Sequence, residues 1–257
     1  MSLRLTVVGC SGSVAGPDSP ASCYLLQAEH KGRTWSLVLD LGSGALGALQ
    51  RHTDPLALDA VVLSHLHPDH CLDLTGLHVM RRHHPQGRVT GKLPVHGPAG
   101  TADRIARAHG VQGATDVSDV FRFVTVQDRR DFVIGPFRVV PITVNHPVEA
   151  FGYRVSVGTV TIAYTGDTDA CPALLPLMAD VDLVLADSGF VDGRDRAEGI
   201  HLSGRRAAEA AVAAGGVQRL MLTHLPPWND PAVCREQAEQ VWPGEVELAE
   251  PGRTYEL

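Results

Sequence analysis

Apolar and β-branched residues recur along the chain in short runs closed by Gly, Pro, Asp or Ser, the pattern of strands ended by turns. In the first half these runs are LRLTVVG (3–9), SCYLLQA (22–28), TWSLVLD (34–40) and DAVVLS (59–64). Helical periodicity predicts helices between and after them, near 44–52, 73–84 and 99–110. The second half opens with strands again, at 121–126, 137–145, 150–157 and 159–166, the last two joined by a short Gly-containing turn. A helix near 171–178, a strand at 182–188, an alanine-rich helix at 204–215, a strand at 218–224 and a helix near 230–241 then restore strand–helix alternation. Both halves run from hairpin strands into β-α units, and no linker, low-complexity tract or short repeat divides them. The economical arrangement is one domain over 1–257, a pseudo-duplicated α/β fold in which two sheets lie inside and helices outside, a four-layer αββα sandwich.

Composition narrows the class. With 257 residues, 44% hydrophobic and 20% charged, the chain can bury a large core. Its net charge of −7 gives no general attraction to a polyanion, so nonspecific nucleic-acid binding is disfavoured. The N-terminal MSLRLTVVGC is too short for a signal core, and no run of about 18 apolar residues exists, so a cytoplasmic protein without membrane partners is expected. The five cysteines (10, 23, 71, 171, 234) include no Cys-x-x-Cys pair, which indicates neither a disulfide framework nor a cysteine zinc finger. Thirteen histidines, without a tag or tract, need another account.

VVLSHLHPDHCLDL supplies it. A buried strand runs straight into His65, His67, Asp69 and His70. Alternate side chains of an extended segment share a face, so His65 and His67 can point at one ion, and a turn at Pro68 lets Asp69 and His70 face a second. The spacing suits two metals, beyond the carboxyl end of a strand, where open α/β sheets place ligand sites.

With this His-x-His-x-Asp-His, the sequence resembles the metallo-β-lactamase superfamily of metal-dependent hydrolases. The resemblance spans residue 3 to about 230 and makes further demands that the chain meets: His146 in ITVNHP, Asp167 in AYTGDTD, His224 in LMLTHLPPW and Asp40 in LVLDLGSG. It implies that one zinc takes His65, His67 and His146, and the second Asp69, His70 and His224. Asp167 would bridge both ions, and Asp40 would buttress the metal loop through hydrogen bonds behind the ligands. A hydroxide bridging the ions would be the nucleophile. Imidazole and carboxylate also accept manganese or iron.

Within the superfamily the segment GIHLSGRRAAEAAVAAG discriminates. His201 stands two residues before Ser203, a good N-cap, and a helix N-terminus with a nearby imidazole binds phosphate oxygens and can protonate a leaving alkoxide. This is similar to the His-x-Ser/Thr motif of the phosphodiesterase branch, which includes the tRNA 3'-end processing enzymes. The resemblance implies catalytic roles for His201 and Asp69, an orienting role for Asp187 in LVLADSGF, where the branch has a longer glutamate, and phosphate binding at Ser203. Only 21 positions separate His146 from Asp167, filled by two strands and a turn, so the arm that grips tRNA has no room and structured RNA is not the expected partner.

GCSGSVAGPDSPASCYLL, LGALQRH, the HLSG turn and LTHLPPW together resemble an actinobacterial branch of atypical cyclic-nucleotide phosphodiesterases. The expectation is hydrolysis of a small phosphodiester, a 3',5'-cyclic nucleotide, to the 5'-monophosphate; related hydrolases are often homodimers, while the sequence itself does not set the oligomeric state. The alternatives are a tRNA 3'-end processing endoribonuclease, a glyoxalase II-type thioester hydrolase with the same ligand set, and a non-catalytic nucleotide sensor. Cys71 reads as a small buried residue beside the metal loop. Trp228 is open to either packing or stacking on a base.

Overall fold

The computed structural model describes residues 2–85, 91–111 and 117–257. The first half contains strands β1 (Leu3–Gly9), β2 (Cys23–His30) and β3 (Arg33–Leu39), helix α1 (Ala45–Leu49), strand β4 (Ala60–Val62) and helices α2 (Pro68–Cys71) and α3 (Leu74–His83). Strand β5 (Leu93–Gly97), helix α4 (Thr101–His109) and strand β6 (Phe121–Thr125) complete it. Strands β7 (Phe132–Ile134), β8 (Phe137–Thr143), β9 (Phe151–Val157) and β10 (Val160–Tyr164) open the second half. There follow α5 (Leu174–Met178), β11 (Leu183–Asp187), α6 (Gly204–Ala214), β12 (Leu220–Thr223), α7 (Pro231–Glu239), β13 (Val246–Leu248) and β14 (Thr254–Glu256).

Two seven-stranded sheets form, in the orders β14-β1-β2-β3-β4-β5-β6 and β13-β12-β11-β10-β9-β8-β7. Each has an antiparallel part built from hairpins and a parallel part built from β-α units, as the alternation predicts. The first sheet receives its last partner from the C-terminus, where β14 pairs antiparallel with β1. Neither that strand nor β5, β7 and β13 is legible as an apolar run, because each is three to five residues long and lies at or near a sheet edge.

One apolar cluster fills the space between the sheets, joining Leu5, Tyr24, Leu39 and Val62 to Phe137, Tyr153, Tyr164 and Leu185. A second packs the first sheet's outer face on α1, α3 and α4, and a third packs α5, α6 and α7 on the other sheet. The four layers are therefore helix, sheet, sheet, helix, the αββα sandwich of the metallo-β-lactamase fold. Among the described residues no helix is long and apolar enough to cross a membrane.

Both parallel regions aim their carboxyl ends at one rim. Asp40 follows β3, His65 follows β4, Asp187 ends β11 and His224 follows β12, so the topology brings together side chains separated by up to 184 positions. Phe137 is fully buried between the sheets. Phe137→Ala is expected to lower unfolding free energy by about 3–5 kcal/mol in chemical denaturation.

Candidate metal centre

The metal loop is short and tightly tied. Leaving β4, the chain passes Ser64 and His65 and reaches His67, extended at ψ 152°, with Pro68 as the first residue of the single-turn α2. Proline suits that position, where its missing N–H is no loss. The loop backbone is bonded to the end of β3: Leu41 N–H donates to the His70 carbonyl (2.8 Å) and Asp73 N–H to the Leu41 carbonyl (3.1 Å). A Cβ at Gly42 would lie 1.9 Å from the Asp69 carbonyl oxygen, so only glycine lets the two segments approach.

The expected ligands converge. His65 Nε2 and His146 Nε2 lie 3.0 and 3.1 Å from His67 Nδ1. His70 Nε2 lies 3.3 Å from Asp69 and 3.2 Å from Asp167, and His224 Nε2 lies 3.3 Å from Asp167 and 3.8 Å from Asp69. Three sets have ligand atoms within 4.8 Å of one another: His65, His67, His146 and Asp167; Asp69, His70, Asp167 and His224; and Asp167, Asp187, His201 and His224, in which Asp187 and His201 are hydrogen-bonded to each other. Asp167 belongs to all three, and the first two are the expected metal sets.

Four of the five rings have their far nitrogen engaged, which sets the tautomer. His70 Nδ1–H donates to Asp40 (2.7 Å), and His146 Nδ1–H donates to the Ile200 carbonyl (2.9 Å). His65 Nδ1–H donates to Ser64 Oγ (3.0 Å), whose own hydroxyl donates to Asp40 (2.7 Å). His224 Nδ1 meets Ser22 Oγ at 3.1 Å. In each case Nε2 faces the cluster, and that of His224 also accepts from Ser13 N–H at 3.3 Å.

Electrostatics follow from crowding in a buried space. Burial, reinforced by the neighbouring His70, holds His65 well below the usual imidazole range. Burial opposes ionisation of Asp167, but His224, His70 and His65 outweigh it and hold the carboxyl well below the usual range. Burial also opposes protonation of His70, and Asp167 and Asp40 overcome it and raise its pKa.

The donor set fits two divalent ions. Five imidazoles and two carboxylates are ligands that zinc accepts. Nitrogens about 2 Å from one tetrahedral ion would stand about 3.3 Å apart, close to the spacings here. Furthermore, His70 Nε2 and Asp167 Oδ1 are buried with no hydrogen-bond partner, which a cation between them would supply.

His201 is beside this cluster. Its Nδ1–H donates to Asp187 (3.0 Å) and lies 4.0 Å from Asp167, and its ring centroid is 5.1 Å from that of His224. The shorter acid therefore reaches. Asp187 is itself fixed by the N–H groups of Thr168 and Gly189, each at 3.0 Å. Burial would lower the His201 pKa, but Asp187, with Asp167, raises it to about 9. Ser203 caps α6 as expected: its buried Oγ accepts from Arg206 N–H at 3.2 Å.

The model of the β-lactamase superfamily domain matches residues 37–225, the segment holding all these groups except the β1–β2 loop. The chain belongs to that family. It is 43% identical over 260 residues to the uncharacterized protein Rv1339 of Mycobacterium tuberculosis, covering 100% of this chain and 93% of that protein. It is 29% identical to the probable metallo-hydrolase YhfI of Bacillus subtilis, covering 99% and 100%. The crystal structure of YhfI superposes over 100% of both chains with a TM-score of 0.88 at 27% identity. The short form of human tRNase Z, at 22% identity, shares the fold over 98% of both chains with a TM-score of 0.72. The chain is thus a metal-dependent hydrolase of the metallo-β-lactamase fold, with buried His/Asp clusters that fit a two-metal site.

Within this family frame, several groups at the centre escape a reading by motif. Tyr164 reaches across from the other sheet to donate to Asp40 (2.7 Å), Ser64 N–H donates to the same carboxylate (2.6 Å), and the Ile200 carbonyl holds His146. Only Ser64, adjacent to His65, carries a local signal. Cys71 is buried, and burial pushes its thiol up to about 12. Trp228 is 61% exposed, so packing does not explain it.

Asp40 is fully buried and accepts from four donors. Asp40→Asn replaces one of its oxygens with a donor that faces other donors, so the loss of orientation is expected to weaken metal binding about 10–100-fold. Zinc titration of metal-stripped protein against a chromogenic chelator measures it.

Proposed function

We propose that this hydrolase cleaves a small phosphodiester, a 3',5'-cyclic nucleotide, to the 5'-monophosphate. The observation that carries the reading is the Asp187–His201 pair, 3.0 Å apart and beside Asp167 and His224. A metal cluster alone is shared by hydrolases of several bond types, whereas an imidazole fixed by a carboxylate and placed next to that cluster is suited to a developing alkoxide.

His65, His67, His146 and Asp167 would hold one ion and Asp69, His70, Asp167 and His224 the other. When bound, such ions supply Lewis-acid polarisation of the phosphoryl oxygens and a hydroxide at neutral pH. The chain's own contribution is orientation and proton transfer. Asp187 fixes His201 through Nδ1, which leaves Nε2–H to donate to a phosphoryl oxygen or to the departing 3' oxygen. The Ser203 cap fixes the turn that presents His201 at the start of α6. Phe190, edge-on to His201 with centroids 5.1 Å apart, limits its rotation.

Size and charge favour a small substrate. Residues 147–166, between His146 and Asp167, are occupied by the β9–β10 hairpin within the sheet and add no arm for a large RNA. The net charge of −7 gives a polyanion no electrostatic grip.

Side-by-side assays of metal-loaded protein with cyclic AMP, bis(p-nitrophenyl) phosphate, a tRNA precursor and S-lactoylglutathione test the proposal. Turnover of the first two is expected, and His201→Ala is expected to lower kcat about 10²–10⁴-fold with metal content unchanged. Turnover of the thioester alone, or an unaltered kcat in the variant, contradicts it.

A further inference from the structure

Between β11 and α6 lies a segment, residues 191–200, without regular secondary structure, and it ends at Ile200, directly before His201. The Ile200 carbonyl fixes His146, and the next residue is His201. Something must hold that end in place, because a shift in the Ile200 carbonyl would turn the His146 ring.

Asp169 does so. Its Oδ2 accepts from Gly199 N–H at 2.7 Å, immediately before Ile200. Its backbone N–H donates to the Asn145 carbonyl at 2.9 Å, immediately before His146. It stands two residues after Asp167 in the same turn, whose Thr168 Oγ1 accepts from Asn145 N–H at 3.1 Å. One residue thus ties together the loops carrying His146, Asp167 and His201. Gly199 has φ +73°, a left-handed turn that glycine adopts without strain and that directs its N–H to the carboxylate.

The carboxylate is in turn locked. Asp169 is 7% exposed and its Oδ1 is paired with the Arg206 guanidinium, which projects from the first turn of α6. Arg206 Nε also approaches Ser203 Oγ (3.4 Å) and Asp192 (3.7 Å). The guanidinium therefore couples the start of α6 to the Asp167 turn, and a buried carboxylate paired in this way keeps its direction.

We propose that Asp169, locked by Arg206, is a positioning residue of the hydrolase: by holding Gly199 it sets the Ile200 carbonyl that aligns His146 for its ion and keeps His201 beside the cluster. The effect on His201 rests on the phosphodiesterase reading, whereas the effect on His146 does not. Asp169→Asn keeps an oxygen for Gly199 N–H but loses the ion pair and turns its amide towards Ala170 N–H, Arg206→Met loses the ion pair together with the approaches to Ser203 and Asp192, and Asp169→Ala loses both the ion pair and the Gly199 bond.

The test is zinc titration of metal-stripped wild type and the three variants, each folded by circular dichroism, with competition by a chelator that resolves the two ions. Activity on bis(p-nitrophenyl) phosphate is measured on the same samples. Asp169→Ala is expected to weaken one of the two ions about 10–100-fold and to spare the other, and to lower kcat more than it raises KM. Asp169→Asn and Arg206→Met, which both keep an oxygen for Gly199 N–H and lose the ion pair, are expected to fall together between Asp169→Ala and wild type. Equal weakening of both ions, unchanged affinity in Asp169→Ala, or no rescue by asparagine overturns the proposal. If Asp169→Ala does not fold, an Arg206→Met protein with wild-type affinity and kcat overturns it as well. A wild type without phosphodiester turnover ends the reading of the reaction, while the zinc titration still decides the positioning role.

Discussion

The buried carboxylate of Asp40 is the constraint from which the centre is built. An ionised group without solvent costs several kcal/mol unless hydrogen bonds replace its water. Here four donors do so: Ser64 N–H, Ser64 Oγ, His70 Nδ1–H and the Tyr164 hydroxyl, at 2.6–2.7 Å. They come from the metal loop and from the opposite sheet. Satisfying one charge therefore fixes the distance between the two sheets at the rim, the rotamer of Ser64 and the tautomer of His70, and through Ser64 the ring of His65.

Order in sequence and order in space diverge at this point, which explains what could be read from the chain. Helices at 74–83, 101–109 and 204–214 and the longer strands follow from periodicity, because each buries one face or both in a continuous core. The seven candidate ligand positions could be named because His65, His67, Asp69 and His70 follow an apolar strand in one motif and the family resemblance points to His146, Asp167 and His224; the structure gathers all seven at one rim. The carboxylate–imidazole contact between Asp187 and His201 was foreseeable only as a pairing, since the reach of an aspartate depends on how closely β11 and the turn before α6 approach. Tyr164, Ser22 and the Ile200 carbonyl carry no signal at all. A tyrosine in a strand looks like any core residue, and a backbone carbonyl has no side chain to read.

Histidine content behaves similarly. Of the seven histidines outside the motifs, His78 meets Asp119 at 3.0 Å and the ring of His109, and His96 stacks on Phe132 with centroids 4.2 Å apart, 8° from parallel. Burial brings the His96 pKa down to about 4, so that ring is a neutral packing element. These residues use the flat shape of imidazole, whereas those at the rim use its lone pair. What separates the two uses is company: around the rim, imidazole nitrogens converge on one another and on the carboxylates of Asp69 and Asp167, a donor set that suits divalent ions.

Backbone conformation carries the same message. Among the described residues, Ser13, Lys31, Asp40, Arg129, Asp180 and His224 have positive φ without being glycine. Lys31, Arg129 and Asp180 lie in turns and connections away from the rim, and the other three meet at the centre. Asp40 accepts the loop, His224 belongs to the second cluster, and Ser13 N–H donates to His224 Nε2 at 3.3 Å. Each such conformation costs about 1–3 kcal/mol and persists where surrounding contacts over-determine it. For His224 those contacts include Gly12, where a Cβ would fall 2.2 Å from the His224 carbonyl oxygen, and the Gly12 N–H bond to Leu225 (3.1 Å). The chain turns sharply after β12 so that the imidazole faces Asp167 instead of continuing along the strand. A relaxed backbone would leave the second cluster one ligand short, so the strain is the local cost of bringing ligands from both sheets to one pair of ions.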